Sequence, residues 1–296
     1  MSGPGPLLTS PLVSAQWLAD HLGAPKLVVL DATVLVVSGP FGGYVTGHEQ
    51  YLLNGHIPGA VFADLLETFS DPDGAHPFTR PRRERFEAAA GAAGVDNETT
   101  VVVYDSVVGQ WAARIWWLFR SFGYDRVAVL DGGYTKWVQD GRATETGHVE
   151  PLPTSFAAPG ERQELWADKA QVERVLAGHE QAALVCGVPP KEFAGDRAHR
   201  ARGGHIPGSI SVPAGRLVER ESKTILPADA LRERFGPAAE QERVIAYCGG
   251  GIAAAADALA LTLIGHENVA IYDGSLNEWA ADPQAPLVTA PPADAG

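Results

Sequence analysis

The strongest chemical signal in this chain is Cys248, one of two cysteines, with Cys186, in 296 residues. It follows the apolar run Val244–Tyr247 and precedes Gly249-Gly250-Gly251-Ile252-Ala253, after which an alanine-rich stretch begins. Read as strand, turn and helix, this order has a use. A glycine-rich turn lets several backbone N–H groups converge as a nest for an anion. The N-terminus of the following helix adds the positive end of its dipole. Such a cradle favours a thiolate, the nucleophilic form of cysteine. The same groups suit the terminal sulfur of a persulfide.

The elements that must position this thiol occur twice. Asn54-Gly-His-Ile-Pro-Gly-Ala60 returns as Gly203-Gly-His-Ile-Pro-Gly-Ser209, Val101-Val-Val-Tyr-Asp105 as Val244-Ile-Ala-Tyr-Cys248, and Val129-Leu-Asp-Gly-Gly-Tyr-Thr-Lys-Trp137 as Ile271-Tyr-Asp-Gly-Ser-Leu-Asn-Glu-Trp279. The offsets are 205 − 56 = 149, 247 − 104 = 143 and 273 − 131 = 142. Three ordered matches at nearly constant offset mark a tandem duplication. In each copy, continuous apolar runs alternate with segments of helical apolar spacing. The runs are 27–31, 101–104 and 127–130, then 183–186, 244–247 and 269–272. The helical segments are 83–93, 112–122, 228–235 and 252–264. This pattern predicts an α/β fold: two domains, each a parallel sheet with helices on both faces. The expected domains are 10–146 and 161–290, joined by a linker over the Pro- and Gly-bearing stretch 147–160. Ligands of open parallel sheets sit at the carboxyl ends of the strands, where Cys248 falls. Copy one carries Asp105 at the matching place. A carboxylate cannot accept sulfur, so only copy two is expected to be catalytic.

With these motifs in place, the chain resembles the two-domain rhodanese family of thiosulfate and 3-mercaptopyruvate sulfurtransferases, from about Ser14 to Asp282. The resemblance rests on both His-Ile-Pro-Gly motifs, on Tyr247-Cys-Gly-Gly-Gly-Ile-Ala253 and on Tyr272-Asp-Gly-Ser-Leu-Asn-Glu-Trp279. It implies double displacement. The cysteine thiolate takes the outer sulfur of a small anionic donor, and a thiol or cyanide then removes it. Gly249, Gly250, Gly251, Ile252 and Ala253 would form the persulfide cradle. The resemblance also marks two departures. Mercaptopyruvate-preferring relatives carry serine where this chain has Gly250, in a proton relay whose other members match Asp64 and His76. The family pattern Asp-Ala-Arg is here Cys186-Gly187-Val188, so the arginine that helps hold the donor is missing. The cations left for that task are Arg114, Arg197, Arg200 and Arg202. Cys186 becomes a candidate resolving thiol, since its strand ends at the same sheet edge as that of Cys248. A neutral active loop disfavours thiosulfate on charge grounds, whereas the lost serine and arginine disfavour mercaptopyruvate. The balance is placed on thiosulfate, with 3-mercaptopyruvate as the alternative donor. An alternative of another class is a homologue that binds a sulfur carrier or an anion without turnover. A cysteine phosphatase of the same fold would need a longer loop ending in arginine, which Ile252-Ala253-Ala254 does not supply.

The bulk properties bound the partners. A formal net charge of −13 argues against nucleic acid and anionic membranes. No apolar run is long enough for a membrane span, residues 1–11 do not read as a signal peptide, and 290–296 reads as a frayed tail. Two cysteines make no disulfide framework, which points to a reducing cytoplasm. The histidines show no ligand spacing, so no metal or other cofactor is expected. His56 and His205 are expected to tie down the His-Ile-Pro-Gly loops, and Trp111, Trp116, Trp117 and Trp137 to fill the core.

Overall fold

The computed structural model describes residues 4–37, 43–197 and 200–289; the 290–296 tail and residues 1–3 lie outside them. The chain divides into two compact units, Met1–Arg162 with Glu219–Ile225, and Gln163–Val218 with Leu226–Gly296.

The first unit runs β1 (Leu12–Val13), α1 (Ala15–His21), β2 (Leu27–Asp31), β3 (Val34–Val37), β4 (Gly43–Thr46), α2 (His48–Asn54), β5 (Val61–Phe62), α3 (Arg83–Ala92), β6 (Thr100–Tyr104), α4 (Gln110–Ser121), β7 (Val127–Leu130) and α5 (Gly133–Gln139). Its parallel sheet has the order β1-β7-β6-β2-β5. The three central strands are the apolar runs read from the sequence. Val101, Val102 and Val103 are fully buried, as strands covered on both faces require. The β3–β4 hairpin is antiparallel and forms a separate small sheet. Its Val36, Val37 and Val45 are exposed.

The second unit runs β8 (Trp166–Ala167), α6 (Lys169–Leu176), β9 (Ala183–Cys186), α7 (Pro190–Ala194), β10 (Ile210–Ser211), α8 (Ala228–Phe235), β11 (Val244–Tyr247), α9 (Ala253–Leu263), β12 (Val269–Tyr272) and α10 (Ser275–Trp279). Its parallel sheet, β10-β9-β11-β12-β8, repeats the first topology. Tyr247 pairs with Cys186, so β9 and β11 end level at the carboxyl edge.

The domain limits differ from expectation in two places. The stretch 147–160 is not a free linker but part of the first unit. Phe156 is buried with edge contacts to Phe86, Phe119 and Tyr124. Asn97 exchanges hydrogen bonds with Ala157, and Thr154 bonds to Gly91 and Val95. An apolar anchor flanked by satisfied backbone overrides the turn-forming composition. Conversely, Glu219–Ile225 falls in the first unit although it lies within copy two of the sequence. There Ile225 N–H donates to Asp131 (2.7 Å) and Gln139 to the carbonyl of Glu221 (2.9 Å).

Candidate active site

Strand β11 delivers Cys248 to the carboxyl edge of the second sheet, where the side chain is 3% exposed and the thiol is free. The loop that follows is held from both sides. On one side Ser275, which is fully buried, accepts hydrogen bonds from the N–H groups of Cys248 (3.1 Å) and Gly251 (3.2 Å) and donates to the carbonyl of Tyr272 (2.7 Å). On the other, the N–H groups of Leu276 and Asn277 donate to the carbonyls of Cys248 and Gly249 at 3.0 and 2.9 Å. Gly251 takes a left-handed φ of +77°, which reverses the chain into α9. Among the described residues, the N–H groups of Gly249, Gly250, Ile252 and Ala253 have no partner. Four such donors within the five residues after a cysteine supply what an anion nest needs.

The first unit shows what such a loop does with an anion. Asp105, at the cysteine's place, accepts from the N–H groups of Val107 (2.8 Å) and Gly109 (3.0 Å) on one oxygen and of Trp111 (2.9 Å) and Ala112 (3.1 Å) on the other. Burial pushes this carboxyl above its ordinary value, and the backbone donors oppose that. Tyr134 N–H meets the Asp105 carbonyl as Leu276 N–H meets that of Cys248. The first copy therefore carries its anion covalently in the nest, whereas the second offers a nest and a sulfur.

The His-Ile-Pro-Gly motifs lock the strand ends. Tyr247 Oη accepts from Ile206 N–H (2.9 Å) and donates to Ser209 (2.7 Å), and Tyr104 Oη accepts from Ile57 N–H (3.2 Å). His205 stacks on Phe193 with centroids 3.5 Å apart and donates to that residue's carbonyl. His56 is buried and donates to the carbonyl of Tyr51. Both are structural ties.

Of the expected donor-binding arginines, Arg200 is the one placed at the loop. Its Nη1 lies 3.3 Å from where a Cβ on Gly249 would stand, and its side chain is 9% exposed. Nη2 pairs with Glu192 of α7 at 2.6 Å. Arg202 is committed elsewhere. Its guanidinium donates to the carbonyls of Trp279, Ala280, Asp282 and Ala285 and anchors the segment after α10, which corrects the expectation that it meets the donor. Arg197 is exposed. Arg114, in the first unit, is fully buried and donates to the carbonyl of Phe78 (2.7 Å). Asp64 and His76 lie in that unit without a hydrogen bond joining them. Asp64 caps a turn by accepting from Leu66 and Glu67, and His76 is tied through its backbone to Thr79.

Cys186 is fully buried beside Tyr247, and burial pushes its thiol up to about 12. Its position is that of a core residue. Next to it, Gly187 faces Asp257 of α9: a Cβ there would stand 2.6 Å from the carboxyl oxygen. Asp257 is fully buried, and among the described residues neither of its oxygens has a hydrogen-bond partner. Burial raises it well above the ordinary carboxylate range.

Ser275 and Glu192 are the two site residues that the sequence reading missed. Ser275 had a signal. The repeat sets it opposite Gly133, and both are left-handed, at φ +49° and +51°. A serine replacing glycine at a left-handed position of a duplicated fold has a reason to be there.

The rhodanese-like domain profile matches this chain over residues 14–140 and 186–282. The chain is 36% identical to the 3-mercaptopyruvate sulfurtransferase of Escherichia coli (strain K12) over 94% of its own length and 98% of that protein. It is 34% identical to thiosulfate/3-mercaptopyruvate sulfurtransferase 2 of Arabidopsis thaliana, over 94% of this chain and 86% of that one. The crystal structure of SseA from Escherichia coli, a 3-mercaptopyruvate sulfotransferase, superposes with a TM-score of 0.77 at 34% identity, covering 90% of this chain and 99% of that one.

Proposed function

Because the chain belongs to the rhodanese-like family of two-domain sulfurtransferases, we propose that it moves sulfur from 3-mercaptopyruvate to a thiol or cyanide through a persulfide on Cys248. The donor departs from the thiosulfate expectation. The relatives named for mercaptopyruvate cover nearly the whole chain, and that outweighs the argument from the missing serine and arginine.

One observation carries the reading. A cysteine at a strand end is followed by backbone N–H groups without partners, in a loop whose duplicate holds a carboxylate in the same way. The Cys248 thiolate attacks the sulfur of mercaptopyruvate. The S–S bond forms as the C–S bond breaks, and the electron pair leaves on carbon as pyruvate enolate. The donor's thiol proton ends on that carbon, giving pyruvate and a persulfide anion. The open N–H groups of Gly249, Gly250, Ile252 and Ala253 stabilise that anion. An acceptor thiolate or cyanide then attacks the outer sulfur and returns the Cys248 thiolate. Arg200 meets the donor's carboxylate. With no hydroxyl at Gly250, water carries the proton to carbon.

Among the described residues, no helix is long and apolar enough to cross a membrane. The two free thiols suit a reducing compartment such as the cytoplasm. Thiocyanate formation from cyanide tests the reading, with mercaptopyruvate and thiosulfate compared on wild type and Cys248→Ser. Mercaptopyruvate turnover that the serine variant lacks is expected. Equal turnover by the serine variant would exclude Cys248 as carrier.

A further inference from the structure

Arg200 does not face the active loop alone. Its side chain, 9% exposed, is shared between two neighbours. Nη1 is 3.3 Å from the Cβ position of Gly249, the residue after the nucleophile, and Nη2 is 2.6 Å from Glu192. Glu192 is itself three-quarters buried. Its helix, α7, starts four residues after Cys186 at the carboxyl edge of the sheet. The helix is fixed where Glu192 sits: the next residue, Phe193, is stacked on His205 and hydrogen-bonded to it through its carbonyl. A carboxylate is thus held at fixed reach from the rim of the nest.

We propose that Glu192 determines donor selectivity by admitting monoanions and opposing dianions. The inference rests on the reading of Arg200 as the donor's anion contact. Arg200 supplies one positive charge at the loop, and Glu192 neutralises it at one edge while leaving Nη1 directed toward Gly249. Mercaptopyruvate brings one negative charge, which Nη1 can meet. Thiosulfate brings two, and the second faces Glu192 without a matching cation. Each charge on the donor feels Glu192 once, so removing that carboxylate helps a dianion by one unit interaction more than a monoanion. Across about 6 Å that difference is roughly three-fold in the limit of bulk water and larger at the effective dielectric of about 20 typical of protein surfaces.

The test compares kcat/KM for thiosulfate and mercaptopyruvate, with cyanide as acceptor, in wild type, Glu192→Gln, Glu192→Ser and Glu192→Asp. Both neutral variants are expected to raise the thiosulfate-to-mercaptopyruvate ratio by at least about three-fold, and Glu192→Asp to stay near wild type. A role confined to holding α7 would lower both donors together and leave the ratio unmoved, which overturns the proposal. A second readout needs no turnover: protection of Cys248 from iodoacetamide by sulfate, a dianion, and by pyruvate, a monoanion. Glu192→Gln should strengthen sulfate protection selectively. If that holds while wild type transfers sulfur from neither donor, the proposed reaction fails and the charge filter stands. Unchanged sulfate protection together with an unchanged donor ratio removes the filter alone.

Discussion

Replacing Ser275 separates what its side chain does from what its backbone conformation costs. Its oxygen is the acceptor for two buried N–H groups of the active loop, those of Cys248 and Gly251. Leaving a buried donor unsatisfied costs about 1–3 kcal/mol, so losing the acceptor of two makes Ser275→Ala less stable by about 2–6 kcal/mol, the lower part of that range applying if water reaches the opened loop. Ser275 also holds a left-handed φ of +49°, a conformation that costs a residue with a Cβ about 1–2 kcal/mol. Glycine at this position loses the same hydrogen bonds but sheds the strain. It gives back about 0.5–1 kcal/mol through the freer unfolded chain. Ser275→Gly should therefore be more stable than Ser275→Ala by up to about 1 kcal/mol, or about 2–4 °C in melting temperature for a unit of this size. The first unit supports the comparison, since Gly133 occupies the matching left-handed site there. Thermal melts followed by circular dichroism read the stability, and the rate of Cys248 alkylation by iodoacetamide reads the order of the loop. Both variants should lower kcat/KM, because the nest is no longer held to the strand end. A Ser275→Ala protein with wild-type melting and wild-type alkylation would refute this account. So would a glycine variant less stable than the alanine one.

Asp257→Val should stabilise the protein at neutral pH by about 1–3 kcal/mol, the usual cost of burying a polar group without a hydrogen bond. The sign depends on pH. Burial raises the folded-state value well above 3.8, so the native chain keeps a proton that the unfolded chain releases. Wild-type stability is then lost progressively as pH rises above about 4. The gap between variant and wild type should be smallest and level near pH 4, where only the neutral carboxyl is buried, and widen as pH rises from 5 toward 8; urea midpoints that run parallel across that range would contradict it. Gly187→Ala should destabilise by about 1–3 kcal/mol, because the added methyl meets Asp257 at 2.6 Å and Ala253 at 3.2 Å. Combining it with Asp257→Val should recover part of that loss, whereas strict additivity in the double-mutant cycle would show that the two positions do not touch.

The central strands were legible because they are buried on both faces. Val101–Val103 and Val244–Ala246 have no exposed side to carry polar residues, so they read as unbroken apolar runs. The strands β1, β5, β8 and β10 have two residues each, too few for any periodicity to register. The β3–β4 hairpin hides for the opposite reason, since Val34 alone of its valines is buried while Val36, Val37 and Val45 face outward, which mimics neither a core strand nor a polar turn. At the site, Cys248 and its cradle are consecutive in the chain, so order alone exposed them. Ser275 is 27 residues downstream of the thiol it steadies, and Glu192 meets Arg200 across the end of a five-residue helix. Neither contact follows from residue type. Arg202 misled for a related reason: a guanidinium beside an active-site motif looks the same in sequence whether it meets a substrate or four carbonyls.

The departure at Cys186-Gly187-Val188 takes on a different meaning once Asp257 is placed. In the first unit the strand that matches β9 ends in Asp31, which is buried in register with Tyr104. In the second, Cys186 stands in register with Tyr247, and the buried carboxyl has moved across to α9. Gly187 is the residue that admits it, because any Cβ there would collide. Position 257 in turn matches Arg114 of the first unit (257 − 143 = 114), itself fully buried. The substitutions at 186, 187 and 257 are thus one packing solution rather than separate losses. Val188 follows from the same arrangement: it is 2% exposed, a packed side chain with no room to present a charge to solvent. Under the proposed function, a chain without a cation here recognises its donor elsewhere at the same sheet edge. The described cation against the active loop is Arg200, and its charge is the one that Glu192 divides.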